Sequence, residues 1–345
     1  MILAWADRPQ GTLPCYTFGG SYRDCTDVKT ARRLARIFQQ SHQTIPVNGN
    51  FLAQFPALAE KTVYISDGAM DASGAVELYV NRLAGQIAPI RLTGNYGSEV
   101  LRGNVAFKPR PLSAELYDPE FVPLGEVADA TYAKEKQGSL TSFIAFKQVP
   151  WHHHSRLAVE QSQLTLRTPY LDNDLMALIF QAPGDLARSG TGTSLHLISE
   201  GRAELARIPT DRGLLHRPLP VLTRVHQLYE ELTVKAEYAY DYGMPQWLAR
   251  IDHFLAPLQL ERLFLGRHKF YHFRIWYRYT LASYLKEVLL DHAAQSRPYL
   301  RHGGMESILK SHIAGEQNHT LEIHQALTIE LIQRQLLNRS WDTAS

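Results

Sequence analysis

The chain has 345 residues, 45% of them hydrophobic and 20% charged, a globular balance that excludes a disordered or collagen-like polymer. Lysine and arginine total 36 against 34 acids, a net charge of +2, which gives no electrostatic footprint for nucleic acid or an acidic membrane. Two cysteines make neither a disulfide framework nor a four-thiolate metal site.

The first ten residues, MILAWADRPQ, lack the basic start of a signal peptide. The longest stretch without Asp, Glu, Lys or Arg, Ile37 to Ala59, is too polar to span a membrane. A cytoplasmic protein with no membrane partner is expected.

In chain order, Leu13 to Phe18 is apolar and stops at Gly19-Gly20, as a buried strand does before a loop. Asp27 to Gln40 places Val28, Ala31, Leu34, Ala35 and Phe38 at helical spacing. Thr44 to Val47 and Thr62 to Ile65 have the composition of short strands, Ala75 to Ile87 of a helix, and Pro89 to Thr93 of a strand ending at Gly94. This alternation predicts an α/β fold, a doubly wound parallel sheet with helices on its faces.

The pattern changes at Lys108. KPRPLSAELYDPEFVPLGE, with four prolines, reads as a long connection. Helical patterns follow over about 126–148, 155–165, 172–181, 192–207, 222–238, 270–294 and 319–337. Two parts are expected: an α/β part over residues 1–108 and a mainly helical part over 109–345.

Chemistry concentrates in Arg91 to Gly103, RLTGNYGSEVLRG. A strand ends at Thr93-Gly94, a small polar loop follows, and Ser98 is placed to cap a short helix containing Glu99. Ligands of parallel sheets bind beyond the carboxyl ends of strands, and helix starts favour anions. A strand-to-helix turn that needs glycine for its geometry explains the same residues.

RLTGNYGSEVLRG resembles the LTGDGGDELFGG loop in the synthetase domain of glutamine-dependent asparagine synthetases, in the ATP-pyrophosphatase group. CYTFGG with DVKTARRLARIF, then RTPYLDNDLMALIFQAP, then SHIAGEQNHTLEIHQALTIELIQRQL resemble further segments of that domain, in the same order. The resemblance implies ATP and Mg²⁺ as cofactors. It implies carboxylate adenylation followed by amination with ammonia from a glutaminase domain upstream or in trans, and it leaves a homodimer open. By resemblance Thr93 and Gly94 contact the nucleotide and Phe18 borders the adenine, although core packing accounts for Phe18 as well. Asn95, Glu99 and Arg212 take the catalytic positions, and Ser98 the metal position.

The chain departs from the family in several places. Met1 to Gln10 matches the family's first helix, so the Ser-Gly-Gly-x-Asp-Ser phosphate loop and the strand before it are not in the sequence. Asn95 and Ser98 replace acids, Thr165 replaces a glutamate, and Arg212 stands near a family lysine. Neutral oxygens weaken metal binding, and a guanidinium is no copy of a lysine point charge. The expectation is an N-terminally truncated ligase domain, inactive by itself, or alternatively a non-catalytic interaction protein or a paralogue amidating another carboxylate.

Arg167 and Asp172 present a charge pair to the expected substrate cleft, or else serve as a brace and the cap of the next helix. The triplet His152-His153-His154 reads as a surface cluster at a helix start, because neighbouring helical side chains diverge and no further ligands accompany them. The aromatic and basic run Arg262 to Tyr284 reads as a buried helix whose arginines reach out to water.

Overall fold

The computed structural model describes residues 1–6, 8–105, 108–182, 192–208, 222–255 and 258–338. A short helix α1 (Ile2–Trp5) precedes strand β1 (Cys15–Gly19), helix α2 (Thr26–Ile37) and strand β2 (His42–Pro46). Helices α3 (Gly49–Ile65) and α4 (Ala75–Ile87) lead to strand β3 (Ile90–Leu92) and helix α5 (Gly97–Arg102). Helices α6 (Val122–Glu135), α7 (Leu140–Phe143) and α8 (His154–Gln161) come before strand β4 (Thr165–Arg167). The rest is helical: α9 (Asn173–Gln181), α10 (Gly192–Gly201), α11 (Leu222–Tyr238), α12 (Gln246–Leu255), α13 (Phe273–Arg278), α14 (Ala282–Leu289), α15 (His292–Gln295), α16 (Gly304–Ala314) and α17 (Thr320–Ile332).

The expected doubly wound parallel sheet is corrected by this topology. The protein is mostly helical, and its described strands form two separate two-stranded parallel sheets. β1 pairs with β2 from Cys15 opposite His42 to Gly19 opposite Pro46, and β3 pairs with β4 from Ile90 opposite Thr165 to Leu92 opposite Arg167. A doubly wound sheet needs one continuous ladder of hydrogen bonds, and here the ladder stops after each pair. One expected strand, Thr62 to Ile65, is instead the last turn of α3. Its Thr-Val-Tyr-Ile composition favours strand locally, but Phe51, Phe55, Leu58, Ala59, Thr62 and Val63 fall on one buried helical face, and packing prevails.

Burial of that face builds the core. The Phe55 ring, fully buried, lies against Phe51, Phe273, Tyr277 and Tyr284 at centroid separations of 6.0, 5.8, 6.3 and 6.0 Å. The same apolar cluster takes in Leu78 of α4, Leu285 of α14 and Leu327 of α17, and so runs across position 108. The proline-rich stretch after Lys108 is held down by buried Leu116 and Tyr117, the latter bridging to Leu300.

The aromatic run is broken into loop, α13 and α14, and its cations do not all reach out to water. Lys269 is buried against Asp241, and Arg274 is buried with its guanidinium 2.9 Å from Asp252. Among the described residues no helix is long and apolar enough to cross a membrane.

Candidate functional site

The segment from β3 to α5 is fastened along its backbone. The Thr93 N–H donates to the Arg167 carbonyl at 3.0 Å, extending the β3–β4 ladder by one bond. Thr93 Oγ1 then accepts from the Asn95 N–H at 3.3 Å, and the Thr168 hydroxyl donates to the Asn95 carbonyl at 2.8 Å. Tyr96 occupies the left-handed region at φ 72°, which costs a non-glycine residue ~1–2 kcal/mol. Its ring is buried and meets the His153 ring edge-on at 4.6 Å, a contact that helps to hold the turn. Gly97 opens α5 because Tyr170 approaches so closely: a Cβ there would lie 2.9 Å from Tyr170 Cε2.

The expected cap is therefore elsewhere. Tyr96, not Ser98, holds the N-terminal position of α5, and Ser98 lies inside the helix with its hydroxyl donating to Glu99 Oε2 at 2.8 Å. Glu99 Oε1 stands 3.9 Å from His153 Nε2. Burial lowers the His153 pKa to about 4, so the ring is neutral at pH 7 and that contact is not an ion pair.

Two cavities flank this segment. A cleft of about 790 Å³ is lined by Phe18, Thr93, Gly94 and Ser98, together with apolar side chains of α2 and α10. A smaller, polar pocket of about 290 Å³ is lined by Gly94, Asn95, Ser98, Glu99, His153 and Arg156. Arg102 lines both and supplies positive charge at their junction. The structure thus brings together Phe18, Thr93, Gly94, Ser98, Asn95 and Glu99. Arg167 and Asp172 line neither cavity. Asp172 accepts from the N–H groups of Asp174 and Leu175 at 3.0 and 3.3 Å, capping α9, and the Arg167 guanidinium donates to the Leu166 carbonyl at 3.2 Å. Arg212 lies outside the described residues.

Comparison of the chain with protein families, with curated proteins and with solved structures finds no match.

The metal position fits Mg²⁺ poorly. Glu99 is the single carboxylate among the residues lining the polar pocket, Ser98 is bonded to it, and the amide nitrogen of Asn95 is buried without a partner. Among the described residues, no group of three or more His, Cys, Asp or Glu is placed to hold a metal. Hard divalent cations take six or more oxygens, usually with charged ligands among them. A nucleotide fits better: the cleft offers an apolar body, the ring of Phe18 and the Arg102 cation. The Phe18 ring also packs on Phe270 at 5.6 Å and under the Arg91 guanidinium at 5.4 Å, the packing expected as its alternative role.

Sequence reading missed the buried ionic wall behind the polar pocket. Arg156 donates to Glu77 at 2.7 Å and to the fully buried Glu160 at 2.9 Å. Burial pushes the Glu160 pKa up, and Arg156 opposes that shift. Arg156 also borders a larger cavity of about 1190 Å³ on its other side, with Lys108, Arg110, Tyr271 and Thr328. His153, expected on the surface, is buried at this wall. The i, i+4 pair Arg156–Glu160 is the one signal visible in the sequence; the Glu77 partner comes from another helix. A second buried ionic cluster lies among α11 and the loop before α13. There Glu237 accepts from the N–H groups of Gly266 and His268 at 2.6 and 2.7 Å and meets His272 at 2.9 Å. Its carboxylate is fully occupied, which makes it a brace.

Proposed function

We propose that the protein is an asparagine synthetase-like, cytoplasmic nucleotide-binding polypeptide whose cleft takes an adenine nucleotide, and that it does not by itself join a carboxylate to ammonia. The convergence of Phe18 with Thr93, Gly94 and Ser98, from two distant segments, on one 790 Å³ cleft supports this reading. Phe18 and the apolar lining would receive the base, and Arg102 would face the phosphates. The adjoining polar pocket, with Arg102, Asn95 and Glu99, is the place for a small carboxylate substrate.

Catalysis has weaker support. Adenylation of a carboxylate develops charge on the phosphoryl oxygens, and its stabilisation by metal or fixed donors is the main catalytic requirement. Here the acidic set is reduced to Glu99, which is held by Ser98. Amide formation would further need ammonia from a glutaminase partner.

Calorimetric titration with ATP, paired with an ATP–pyrophosphate exchange assay, tests both halves. The expected result is saturable binding, weakened about tenfold by Phe18→Ala as ~1.4 kcal/mol of ring contact is lost, and no exchange. Absence of binding would remove the nucleotide reading, and exchange by the chain alone would overturn the claim of inactivity.

A further inference from the structure

Backbone parity shows where the two small sheets are unfinished. The Cys15 N–H donates to the Ser41 carbonyl, and the Gly19 carbonyl accepts from the Val47 N–H, so odd-numbered residues of β1 turn their backbone groups toward β2. Those of Tyr16 and Phe18 point to the opposite edge. In β3 the Pro89 carbonyl and the Thr93 N–H bond to β4, which leaves the backbone groups of Ile90 and Leu92 on the far edge. All four residues line the 790 Å³ cleft. Consecutive residues 13–18 and 90–94 border it, odd and even alike, as they do when a cavity meets strands edge-on. The two edges stand within an arginine's reach of each other: Arg91 Cζ lies 5.8 Å from the Tyr16 ring and 5.4 Å from the Phe18 ring. Among the described residues, the one partner recorded for these backbone groups is the Cys25 thiol, 3.9 Å from the Phe18 carbonyl. Ile90 and Leu92 remain 61% and 53% exposed.

From this we infer that the cleft between β1 and β3 is a docking site for one extended, apolar strand donated by a polypeptide other than a copy of this chain, whose main chain pairs with Tyr16 and Phe18 on one side and Ile90 and Leu92 on the other. Main-chain donors and acceptors on both flanks specify a peptide rather than another apolar ligand. Ala31 and Leu34 of α2, Phe38 just beyond it, and Leu195 and Ile198 of α10 also line the cleft, so side chains of the occupant meet apolar surroundings. The nucleotide reading draws on the Phe18 ring and the apolar lining of the same cleft together with Thr93, Gly94 and Ser98, whereas the strand pairing draws on the main chain of Tyr16, Phe18, Ile90 and Leu92; the two occupants share the cleft and are held by different groups.

The test is amide hydrogen exchange on the full chain, with and without a free, end-blocked hexapeptide of alternating valine and threonine at millimolar concentration. The Tyr16, Phe18, Ile90 and Leu92 amides should exchange freely alone and slow at least tenfold with the peptide. Leu92→Pro, whose missing N–H faces the cleft, should keep the circular dichroism of the parent and reduce peptide protection at Tyr16 and Phe18. Three results would overturn the inference. One is no slowing at any of the four amides. Another is protection without peptide that rises with protein concentration, which would make a second copy of the chain the occupant. The last is slow exchange of the Ile90 and Leu92 amides in the chain alone, independent of protein concentration, which would show that these N–H groups are already bonded. ATP titration of the same sample, scored separately, tells failure of this site from failure of the nucleotide reading.

Discussion

His312 and His153 show how single side chains set the response to acid. The His312 Nδ1 accepts from the His319 N–H at 3.0 Å, which leaves Nε2 protonated and donating to the Arg274 carbonyl at 3.2 Å. The ring is satisfied in its neutral form, and burial lowers its pKa to about 3. For His153 burial lowers the pKa to about 4. Both folded-state values lie below the unfolded value near 6.5, so between them the unfolded chain binds more protons than the folded one. Stability is therefore fully present above about pH 6.5 and is lost as pH falls toward 4. Going from pH 7 to pH 5 is expected to cost about 2 kcal/mol for each ring, read as a drop in the urea midpoint. Replacing His312 with Gln, which carries no titrating group, should flatten its share of that slope; an unchanged slope would show that the ring is not buried neutral.

At the scale of elements, the turn from β3 into α5 depends on the fit between Gly97 and Tyr170. The Tyr170 ring is buried beside Tyr96 and Val100, with little room to swing away. Gly97→Ala should therefore destabilise by ~1–3 kcal/mol through overpacking, visible as a lowered thermal midpoint. The same substitution beside Tyr170→Leu should cost less, because the clashing ring is gone; equal costs in both backgrounds would separate Gly97 from Tyr170. Local elements of this kind were largely legible in the sequence. The periodicity of Val28 to Phe38 anticipates α2, and the expected strands at Leu13–Phe18 and Pro89–Thr93 overlap β1 and β3. The Thr93–Glu99 segment was legible as a site because glycines and small polar residues directly follow a strand. What could not be read was pairing. Alternation of strands and helices says that strands exist, but not whether β1 and β3 share a sheet, because that depends on an element lying between them. The Glu77–Arg156 pairing escaped for a related reason: a half-buried ion pair between helices leaves no period in either helix.

At the scale of the whole molecule, the described residues form a helical body that carries two short parallel strand pairs beside a common cleft. Its near-neutral charge of +2 suits a small-molecule site more than a polyanion, and the Arg102 cation is local to that site. The largest apolar cluster ties α3 and α4 to α13, α14, α16 and α17, so residues before and after position 108 share one core. The cleft, in contrast, is bounded by exposed edges and by Thr93, Gly94, Gly97 and Ser98 of the turn into α5. The resemblance implies a metal-dependent ligase. The donor set fits Mg²⁺ poorly, and the nucleotide reading proposed above does without it.

The claim that the cleft holds a nucleotide without metal chemistry is tested most directly by titrating the full chain with ATP in excess EDTA and again in millimolar Mg²⁺. The account predicts saturable binding in both, with dissociation constants agreeing within about threefold, or ~0.7 kcal/mol. Binding that appears only with Mg²⁺, or tightens tenfold or more on its addition, would contradict it.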